Sequence, residues 1–335
     1  MKIAILDDYQ DAVRHLPCFS LLQGHEVKVF NSGAVGIGQL AIRLASFDAL
    51  VLIRERTAFP RALLKKLPKL KLIVQTGKVT GHIDVATAAE LGIAIVEGAG
   101  DPTAPAELTW ALIMASSRKI TQYSANLQDG LWQVASTIAQ NNGLGRVLKQ
   151  RTLGIWGYGR IGKIVAGYGK AFGMQVVIWG SDASRQQAQQ DGYQSAISKE
   201  AFFSESDVIS VHLRLSDTSR EIISAVDLAL MKTDALFVNT SWAELVQAGA
   251  LESALNLGRP GFAAIDVFET EPVSMQNPLL RMENVLATPH LGYVEQTSYE
   301  VYFRAAFQNI LDFANRNPGN VLNAISSTSN IEGQA

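Results

Sequence analysis

Near the middle of the chain, an apolar run leads directly into three spaced glycines and then into a helical pattern. Thr152–Trp156 predicts a strand, and residues 163–172 predict a helix. Gly157 permits a sharp turn, Gly159 permits close approach of backbone amides to a pyrophosphate, and Gly162 permits tight packing of the helix on its strand. The helix N-terminus also carries a partial positive charge that favours phosphate. A purely structural glycine turn is the alternative. The predicted dinucleotide-binding turn consists of Gly157, Tyr158, Gly159, Arg160, Ile161 and Gly162.

The composition is that of a globular protein long enough for two domains. Of the 335 residues, 47% are hydrophobic, which supports sizeable cores. Lys and Arg number 29 against 31 Asp and Glu, and no basic stripe is present, so we expect no nucleic-acid partner. Cys18 is the single cysteine, which predicts no disulfide framework and a reducing, cytoplasmic location. The sequence has neither a signal-peptide pattern nor a run of roughly 18 apolar residues, so we expect no membrane association.

Apolar runs alternate with helical patterns, which predicts two parallel α/β units. The predicted strands of the first unit are residues 2–6, 26–30, 49–53, 70–74 and 93–96. Downstream of the glycine turn, the predicted strands are residues 175–179, 208–213, 235–239, 261–266 and 285–288.

The segments between these runs predict helices and loops. Residues 60–67 and 85–91 predict helices, and one long helix is expected from near Thr103, with Pro105 in its first turn, to about Asn126. A second glycine group over residues 33–38 predicts a loop. A last helix is expected from Glu295 to about Asn315, followed by a loosely held polar tail.

Further segments resemble those of the D-2-hydroxyacid dehydrogenases. In the order expected of that family, they are ISVHL (209–213), FVNTS (237–241), DVFETEP (266–272) and NVLATPH (284–290), after LPKLKLIVQTG (67–77) in the first unit. The resemblance covers almost the whole chain and points to the branches of phosphoglycerate dehydrogenase and glyoxylate or hydroxypyruvate reductase. It implies two Rossmann-like lobes with a cleft between them. Residues 1–102 with 293–335 would form a flavodoxin-like substrate domain, and residues 103–292 an NAD(P)-binding domain. It also implies a homodimer formed through the helix after Thr103 and residues 127–132.

Two residues of these segments suit acid–base chemistry. Reduction of a 2-keto acid needs a hydride at the carbonyl carbon and a proton at its oxygen, and histidine titrates in the useful range. The resemblance implies that His290 donates the proton and that Glu271 holds its imidazole and raises its pKa. A structural histidine is the alternative. His15 and His25 lie in polar contexts, and His82 lies in a loop near the expected cleft. No histidine has metal-ligand spacing, so we predict no metal site.

Position 242 departs from the family pattern. Resembling chains carry an arginine after Asn-Thr-Ser, which binds the substrate carboxylate and polarises the carbonyl, whereas this chain carries Trp242. An indole offers one N–H donor and no charge, so we expect weak or no turnover of ordinary 2-keto acids. Trp242 could mark a natural or made variant of an active enzyme, or select an apolar or aromatic substrate. In a third explanation another cation replaces the arginine. The candidates are Arg54, Arg56 and Lys78, of which we expect at least one arginine to be a solvated surface charge.

The cofactor preference rests on the end of the strand after the glycine turn. Gly180 stands where an acid would bind the ribose 2′-hydroxyl of NAD, and Ser181 and Asp182 follow it. Loss of that carboxylate removes repulsion of a 2′-phosphate, and Arg185 lies close enough in sequence to contact one, so NADP is favoured over NAD. Two alternatives remain: Asp182 could take the place of the acid, and Arg185 could simply start a polar helix. The resemblance implies further cofactor contacts from His212, Thr240, Asp266 and Gly292, although Asp266 could instead be a structural acid.

For the substrate, the resemblance implies carboxylate binding by backbone amides after the fourth strand, at Gly77, Lys78 and Val79, with Arg54 as a further contact. Val79 stands where the family carries a second glycine, which puts the shape of this loop in question. The expected activity is NAD(P)-dependent interconversion of a small 2-keto acid and a D-2-hydroxy acid. The alternative, which Trp242 favours, is a dinucleotide-binding sensor related to the corepressor members of the family.

Overall fold

A computed structural model of the chain describes residues 1–34, 36–98, 100–317 and 321–323. The chain divides into two compact units. The first contains Met1–Asp101 and the described residues from Gln296 onward, and the second contains Pro102–Glu295. Each unit is built on a fully parallel sheet, so the predicted α/β class is confirmed.

The elements follow one another as strand and helix. The strands are β1 Lys2–Ile5, β2 Glu26–Val29, β3 Ala49–Leu52, β4 Leu72–Gln75, β5 Ala94–Glu97, β6 Thr152–Trp156, β7 Gln175–Trp179, β8 Gln194–Ser195, β9 Val208–Val211, β10 Leu236–Asn239, β11 Phe262–Ile265 and β12 Val285–Ala287. The helices are α1 Gly36–Leu44, α2 Arg61–Leu64, α3 Val85–Glu90, α4 Thr103–Ser117, α5 Ile120–Gln128, α6 Arg160–Ala171, α7 Asp182–Gln190, α8 Lys199–Glu205, α9 Ala225–Ala229, α10 Ala250–Asn256 and α11 Gln296–Ala314. Short 3₁₀ turns occupy Val13–His15, Pro17–Leu22, Ala139–Asn141, Ala243–Leu245 and Pro278–Arg281.

The first unit has a five-stranded sheet in the order β2-β1-β3-β4-β5. Every residue of β3 and β4 is buried, as expected for strands covered on both faces. All five predicted strands are present. Ile3 of β1 pairs with Val27 on one side and Ala49 on the other.

The predicted loop over residues 33–38 is wrong in its second half, because α1 begins at Gly36. Leu40 and Leu44 are buried in the core of the first unit. Burial of this apolar face outweighs the poor helix propensity of glycines, which here lie only in the first turn.

Part of the polar tail is attached to the sheet. Val321 forms a bridge with Val96 of β5, and Asn323 Oδ1 accepts a hydrogen bond from the backbone N–H of Ile95 at 2.9 Å. The expectation of a loosely held tail is therefore wrong for residues 321–323. Residues 318–320 and 324–335 of that tail lie outside the described residues.

The second unit has a seven-stranded sheet in the order β12-β11-β10-β9-β6-β7-β8. The strand order reverses at β6 and β9, and ligands of such sheets bind at the carboxyl ends of strands at the reversal. Successive side chains alternate between two cores: Leu236 and Val238 pack on one face of the sheet, and Phe237 packs on the other. The edge strand β8 was not predicted because its two residues, Gln194 and Ser195, carry no apolar pattern.

The predicted long helix begins at Thr103 as expected but ends at Ser117. Lys119 adopts a left-handed conformation with φ +51°, which cannot continue an α-helix, and α5 begins at the next residue. Lys119 Nζ donates to the carbonyl of Asn141 at 3.0 Å. The prediction of one continuous helix is therefore wrong at this position.

None of the described helices is long and apolar enough to cross a membrane. Within the part of the chain that the structure describes, no group of three His, Cys, Asp or Glu side chains is placed to hold a metal ion.

Candidate active site

The three glycines of the turn have different surroundings. Gly157 follows β6 with φ +101°, and a Cβ there would lie 2.6 Å from the carbonyl oxygen of His212. A Cβ on Gly162 would overlap the carbonyl oxygen of Gly157, so α6 can pack this closely only without one. A Cβ on Gly159 would meet no atom within 4 Å. Packing therefore requires the first and third glycines, whereas the middle one faces open space at the N-terminus of α6.

The side chains between these glycines point in different directions. Tyr158 is buried, and its hydroxyl donates to Asp191 Oδ2 at 2.9 Å. Burial, together with the Asp191 carboxylate, raises the pKa of Tyr158. Ile161 packs on the core of the second unit, and Arg160 is exposed. The Tyr158 side chain thus anchors the turn, which leaves its backbone as the part that can face a ligand.

Arg185 lies over an aromatic ring at the end of β7. Its guanidinium carbon is 4.9 Å from the centre of the Trp179 ring, and it forms an ion pair with Asp182. Ser181 caps α7 by accepting a hydrogen bond from the backbone N–H of Ser184. Gly180, which precedes this cap, has no side chain with which to bind a ribose hydroxyl. The carboxylate of Asp182 already has a cationic partner.

His212 and Thr240 follow β9 and β10. The ring of His212 bonds to Ser210 Oγ through Nε2 at 2.9 Å, and burial lowers its pKa to about 3, so the ring is neutral. Its Nδ1 has no hydrogen-bond partner among the described residues. Thr240 Oγ1 lies 2.7 Å from Thr109 Oγ1 on α4.

His290 and Glu271 form a hydrogen-bonded pair. Nδ1 of His290 is 2.7 Å from Oε2 of Glu271, and Oε1 of Glu271 accepts the backbone N–H of Phe268 at 3.0 Å. His290 follows β12 with φ +53°, and its ring meets that of Tyr293 edge-on at 5.4 Å. Because both carboxylate oxygens are engaged, the carboxylate and the imidazole hold each other in one orientation.

Asp266 fixes the loop that carries this histidine. Its Oδ1 accepts the Thr288 hydroxyl at 2.6 Å and the Leu291 N–H at 2.8 Å, and its Oδ2 accepts the Gly292 N–H at 2.9 Å. Burial raises the pKa of Asp266, although these hydrogen bonds act in the opposite direction. In this structure Asp266 thus holds the loop over residues 288–292 in place.

Trp242 lies at the start of the 3₁₀ turn after β10. Asn239 Nδ2 donates to the carbonyl of Trp242 at 2.7 Å, and Asn239 Oδ1 accepts the Ser241 N–H at 3.0 Å. The half-buried indole packs against the apolar core on the Phe237 face of the sheet. This position contributes an apolar surface to the second unit and no cation.

The three cations considered as substitutes lie in the first unit and contact other groups there. Arg54 packs against Gly77, and its Nε is 3.4 Å from Oε2 of Glu55. Arg56 donates to the carbonyl of Asp7 at 2.6 Å. Lys78 Nζ lies 2.6 Å from Oε1 of Glu97.

The predicted substrate loop has an acidic partner that the sequence analysis missed. Glu97 Oε2 accepts the backbone N–H of Val79 at 2.9 Å, while Oε1 accepts Lys78 Nζ. The Val79 side chain packs on the core of the first unit. An acid at the end of β5 was the available signal, since the carboxyl ends of neighbouring parallel strands lie at one edge of a sheet.

Gln75 precedes this loop at the end of β4, and His82 follows it. His82 Nε2 lies 3.3 Å from Gln75 Oε1, and burial lowers the pKa of His82. Gln75 is fully buried at the end of β4. These contacts bring His82 to the base of the predicted substrate loop.

Comparisons with known proteins agree with this arrangement. Residues 110–292 match the model of the D-isomer specific 2-hydroxyacid dehydrogenase, NAD binding domain. A glyoxylate reductase of Aeropyrum pernix is 36% identical over 264 residues, which cover 78% of each chain. A D-3-phosphoglycerate dehydrogenase of Methanocaldococcus jannaschii is 35% identical over 87% of this chain, but the match spans only 53% of that longer protein. The crystal structure of a Ralstonia solanacearum protein, described as a D-3-phosphoglycerate dehydrogenase oxidoreductase, is 58% identical with a TM-score of 0.94 over 96% of both chains.

Proposed function

Because this chain belongs to the D-isomer specific 2-hydroxyacid dehydrogenase family, we propose that it interconverts a small 2-keto acid and a D-2-hydroxy acid, with Trp242 impairing or altering that activity. The observation that carries this proposal is the contact of 2.7 Å between His290 and Glu271. The two residues lie in the same unit as the glycine turn. A histidine held by a carboxylate is suited to proton transfer near neutral pH.

The residues of the second unit have distinct roles in this proposal. The open space before α6 at Gly159 fits the pyrophosphate of a nicotinamide dinucleotide, which supplies or accepts the hydride when bound. His290 gives a proton to the carbonyl oxygen through Nε2, since Glu271 engages Nδ1. Asp266 holds the loop that positions His290.

Trp242 limits the reaction in this proposal. An indole packed on an apolar core cannot pair with a carboxylate or stabilise charge on a carbonyl oxygen as a guanidinium does. Loss of one such donor costs about 10²- to 10³-fold in rate. We therefore expect slow turnover of ordinary 2-keto acids, or a preference for a substrate with an apolar or aromatic group.

The preferred cofactor in this proposal is NADP. Gly180 offers no carboxylate that would repel a 2′-phosphate, and the Arg185 side chain on α7 lies against Trp179, the last residue of β7. Asp182 could still receive a ribose hydroxyl if its pair with Arg185 opens, which would favour NAD.

A homodimer in a reducing cytoplasm fits two features of the chain. Its single cysteine, Cys18, is buried and unpaired. Large apolar side chains are exposed on α5 and the segment after it, which is typical of an interface. They are Ile120, Leu127, Trp132, Leu144 and Val147. A monomeric mass by light scattering would contradict the dimer.

A second candidate function is a dinucleotide sensor or corepressor-like protein. Trp242 favours it, because the fold and the glycine turn persist where the usual substrate-binding cation is missing. The retained His290–Glu271 pair favours the enzyme.

The test is oxidation of NADPH and NADH by the native chain with glyoxylate, hydroxypyruvate and phenylpyruvate, beside a His290→Asn variant. We expect measurable turnover that falls by about 10²- to 10⁴-fold in the variant, the usual contribution of an acid–base group. Tight cofactor binding without turnover of any substrate would support the sensor instead.

A further inference from the structure

The segment after β9 lies directly against the first glycine of the dinucleotide-binding turn. Strands β9 and β6 are paired up to the last residue of each. The backbone N–H of His212 then donates to the carbonyl of Trp156 at 2.8 Å. A Cβ on Gly157 would lie 2.6 Å from the carbonyl oxygen of His212 and 3.1 Å from Cδ2 of Leu213. The next residue, Arg214, therefore lies beside the turn at the carboxyl edge of the sheet.

Hydrogen bonds and packing fix the backbone of Arg214. Its carbonyl accepts the hydroxyl of Ser219 at 2.7 Å, and the oxygen of that hydroxyl accepts the backbone N–H of Ser216 at 2.8 Å. Ser219 is buried. The side chains on either side of Arg214, those of Leu213 and Leu215, pack on an apolar core of the second unit. The segment thus holds the base of the Arg214 side chain in one place.

The guanidinium of Arg214 is exposed and forms neither a hydrogen bond nor an ion pair within the described part of the chain. The carboxylate of Asp217, in the same loop, does not pair with it. Strand β6 lies between β9 and β7, so Arg185 is on the other side of the turn, where it is paired with Asp182. Arg214 therefore keeps both its charge and its N–H donors for a ligand.

A dinucleotide brings more negative charge to this turn than the start of α6 can balance. The pyrophosphate carries two negative charges, whereas the N-terminus of a helix is equivalent to roughly half a positive charge. Even with the exposed Arg160 at the start of α6, the sum of these charges is negative. A guanidinium presents parallel N–H donors that match the oxygens of a phosphate. Arg214 is placed to supply the missing charge.

We propose that Arg214 binds the pyrophosphate of the nicotinamide dinucleotide from the β9 side of the turn, and that it does so for NADH and NADPH alike. The inference rests on the proposed function and deepens it. All the residues that carry it belong to the second unit. Two arginines then have separate roles: Arg185 contacts the 2′-phosphate that only NADP carries, and Arg214 contacts the pyrophosphate that both cofactors carry.

Arg214→Gln tests the residue, because glutamine removes the charge and keeps a polar side chain. Fluorescence titration gives the Kd of NADPH and of NADH. We expect both Kd values to rise by about tenfold or more and to the same extent, since a charge-assisted contact to phosphate is lost. Arg214→Lys keeps the charge and should bind both cofactors more tightly than Arg214→Gln. Arg281→Gln, at an exposed arginine in the 3₁₀ turn before β12, is the control and should leave both Kd values unchanged.

Ionic strength provides a readout that a merely structural role would not affect. A contact between opposite charges at an exposed position is screened by salt. The difference in Kd between the native chain and Arg214→Gln should therefore shrink as the NaCl concentration rises. Urea denaturation should give the same free energy of unfolding for both proteins, since the guanidinium has no partner to lose among the described residues.

A rise in the Kd of NADPH alone would overturn the assignment to the pyrophosphate, because Arg214 would then contact the 2′-phosphate. Unchanged Kd values for both cofactors would also overturn it, since Arg214 would then be only a surface charge. The titrations do not depend on turnover. Failure of the proposed dehydrogenase activity would appear separately, as cofactor binding without reduction of any 2-keto acid, whereas a native chain that binds neither cofactor would overturn both proposals.

Discussion

Several contacts and the backbone conformation constrain the single residue His290. Its backbone is left-handed, its Nδ1 contacts Glu271, and its ring meets Tyr293 edge-on. Glu271 is in turn held by the Phe268 N–H. A proton donor with so few available orientations loses little entropy when a substrate binds.

Arg185 determines cofactor choice if the NADP proposal is right. We expect Arg185→Ala to raise the Kd of NADPH by about tenfold or more, since a charge-assisted contact to the 2′-phosphate is lost. The Kd of NADH should change little, because that ribose carries a hydroxyl. Fluorescence titration of both cofactors measures the effect, and Arg220→Ala, an exposed arginine elsewhere in the unit, is the control. Equal weakening of both cofactors would contradict the assignment.

His212 predicts a pH dependence of stability. Its pKa in the folded protein is about 3, whereas that of an unfolded histidine is about 6.5. Between these pH values the unfolded state binds a proton that the folded state does not. The contribution of neutral His212 to the free energy of unfolding is therefore complete above pH 6.5 and is lost as pH falls toward 3. As pH falls over that range, we expect the free energy of unfolding to decrease less for His212→Gln than for the native chain, as measured by urea denaturation. His15→Gln, at an exposed position, should follow the native curve. Parallel curves for His212→Gln and the native chain would contradict the prediction.

Among the secondary-structure elements, α6 can pack closely on β6 only because position 162 is a glycine. A methyl at Gly162 would overlap the Gly157 carbonyl, so Gly162→Ala should lower the free energy of unfolding by about 1–3 kcal/mol, the usual cost of overpacking. Gly159 faces open space with φ −89°, so Gly159→Ala should leave stability unchanged and weaken NADPH binding instead. Denaturation and cofactor titration separate the two effects. Equal loss of stability in both variants would contradict these different roles.

Strands were predictable from the sequence where burial on both faces makes them continuous apolar runs, as in β3 and β4. The boundaries of the helices were less predictable. The break between α4 and α5 depends on the left-handed Lys119, a residue type with no local preference for that conformation. The start of α1 depends on the tertiary burial of Leu40 and Leu44, which outweighs the glycines before them.

Across the whole molecule, some residues of the candidate site were predictable from the sequence and others were not. The glycine turn and the His290–Glu271 pair were predictable because each lies in a recognisable segment of the chain. Glu97 and Val79 are 18 residues apart in the sequence and meet through the alignment of β4 and β5. No local sequence pattern therefore predicts their contact. The role of Asp266 in holding the His290 loop likewise required the folded unit.

The chain has the architecture of a D-2-hydroxyacid dehydrogenase, and we propose that Trp242 limits its turnover. The measurement is oxidation of NADPH and NADH with glyoxylate, hydroxypyruvate and phenylpyruvate, for the native chain and for Trp242→Arg. Trp242→Phe, which keeps an aromatic side chain and adds no charge, is the control. We expect that only the arginine variant gains activity, by about 10²-fold or more in kcat/KM for a 2-keto acid. Equal turnover by all three proteins, or none by any while the cofactor binds, would contradict it.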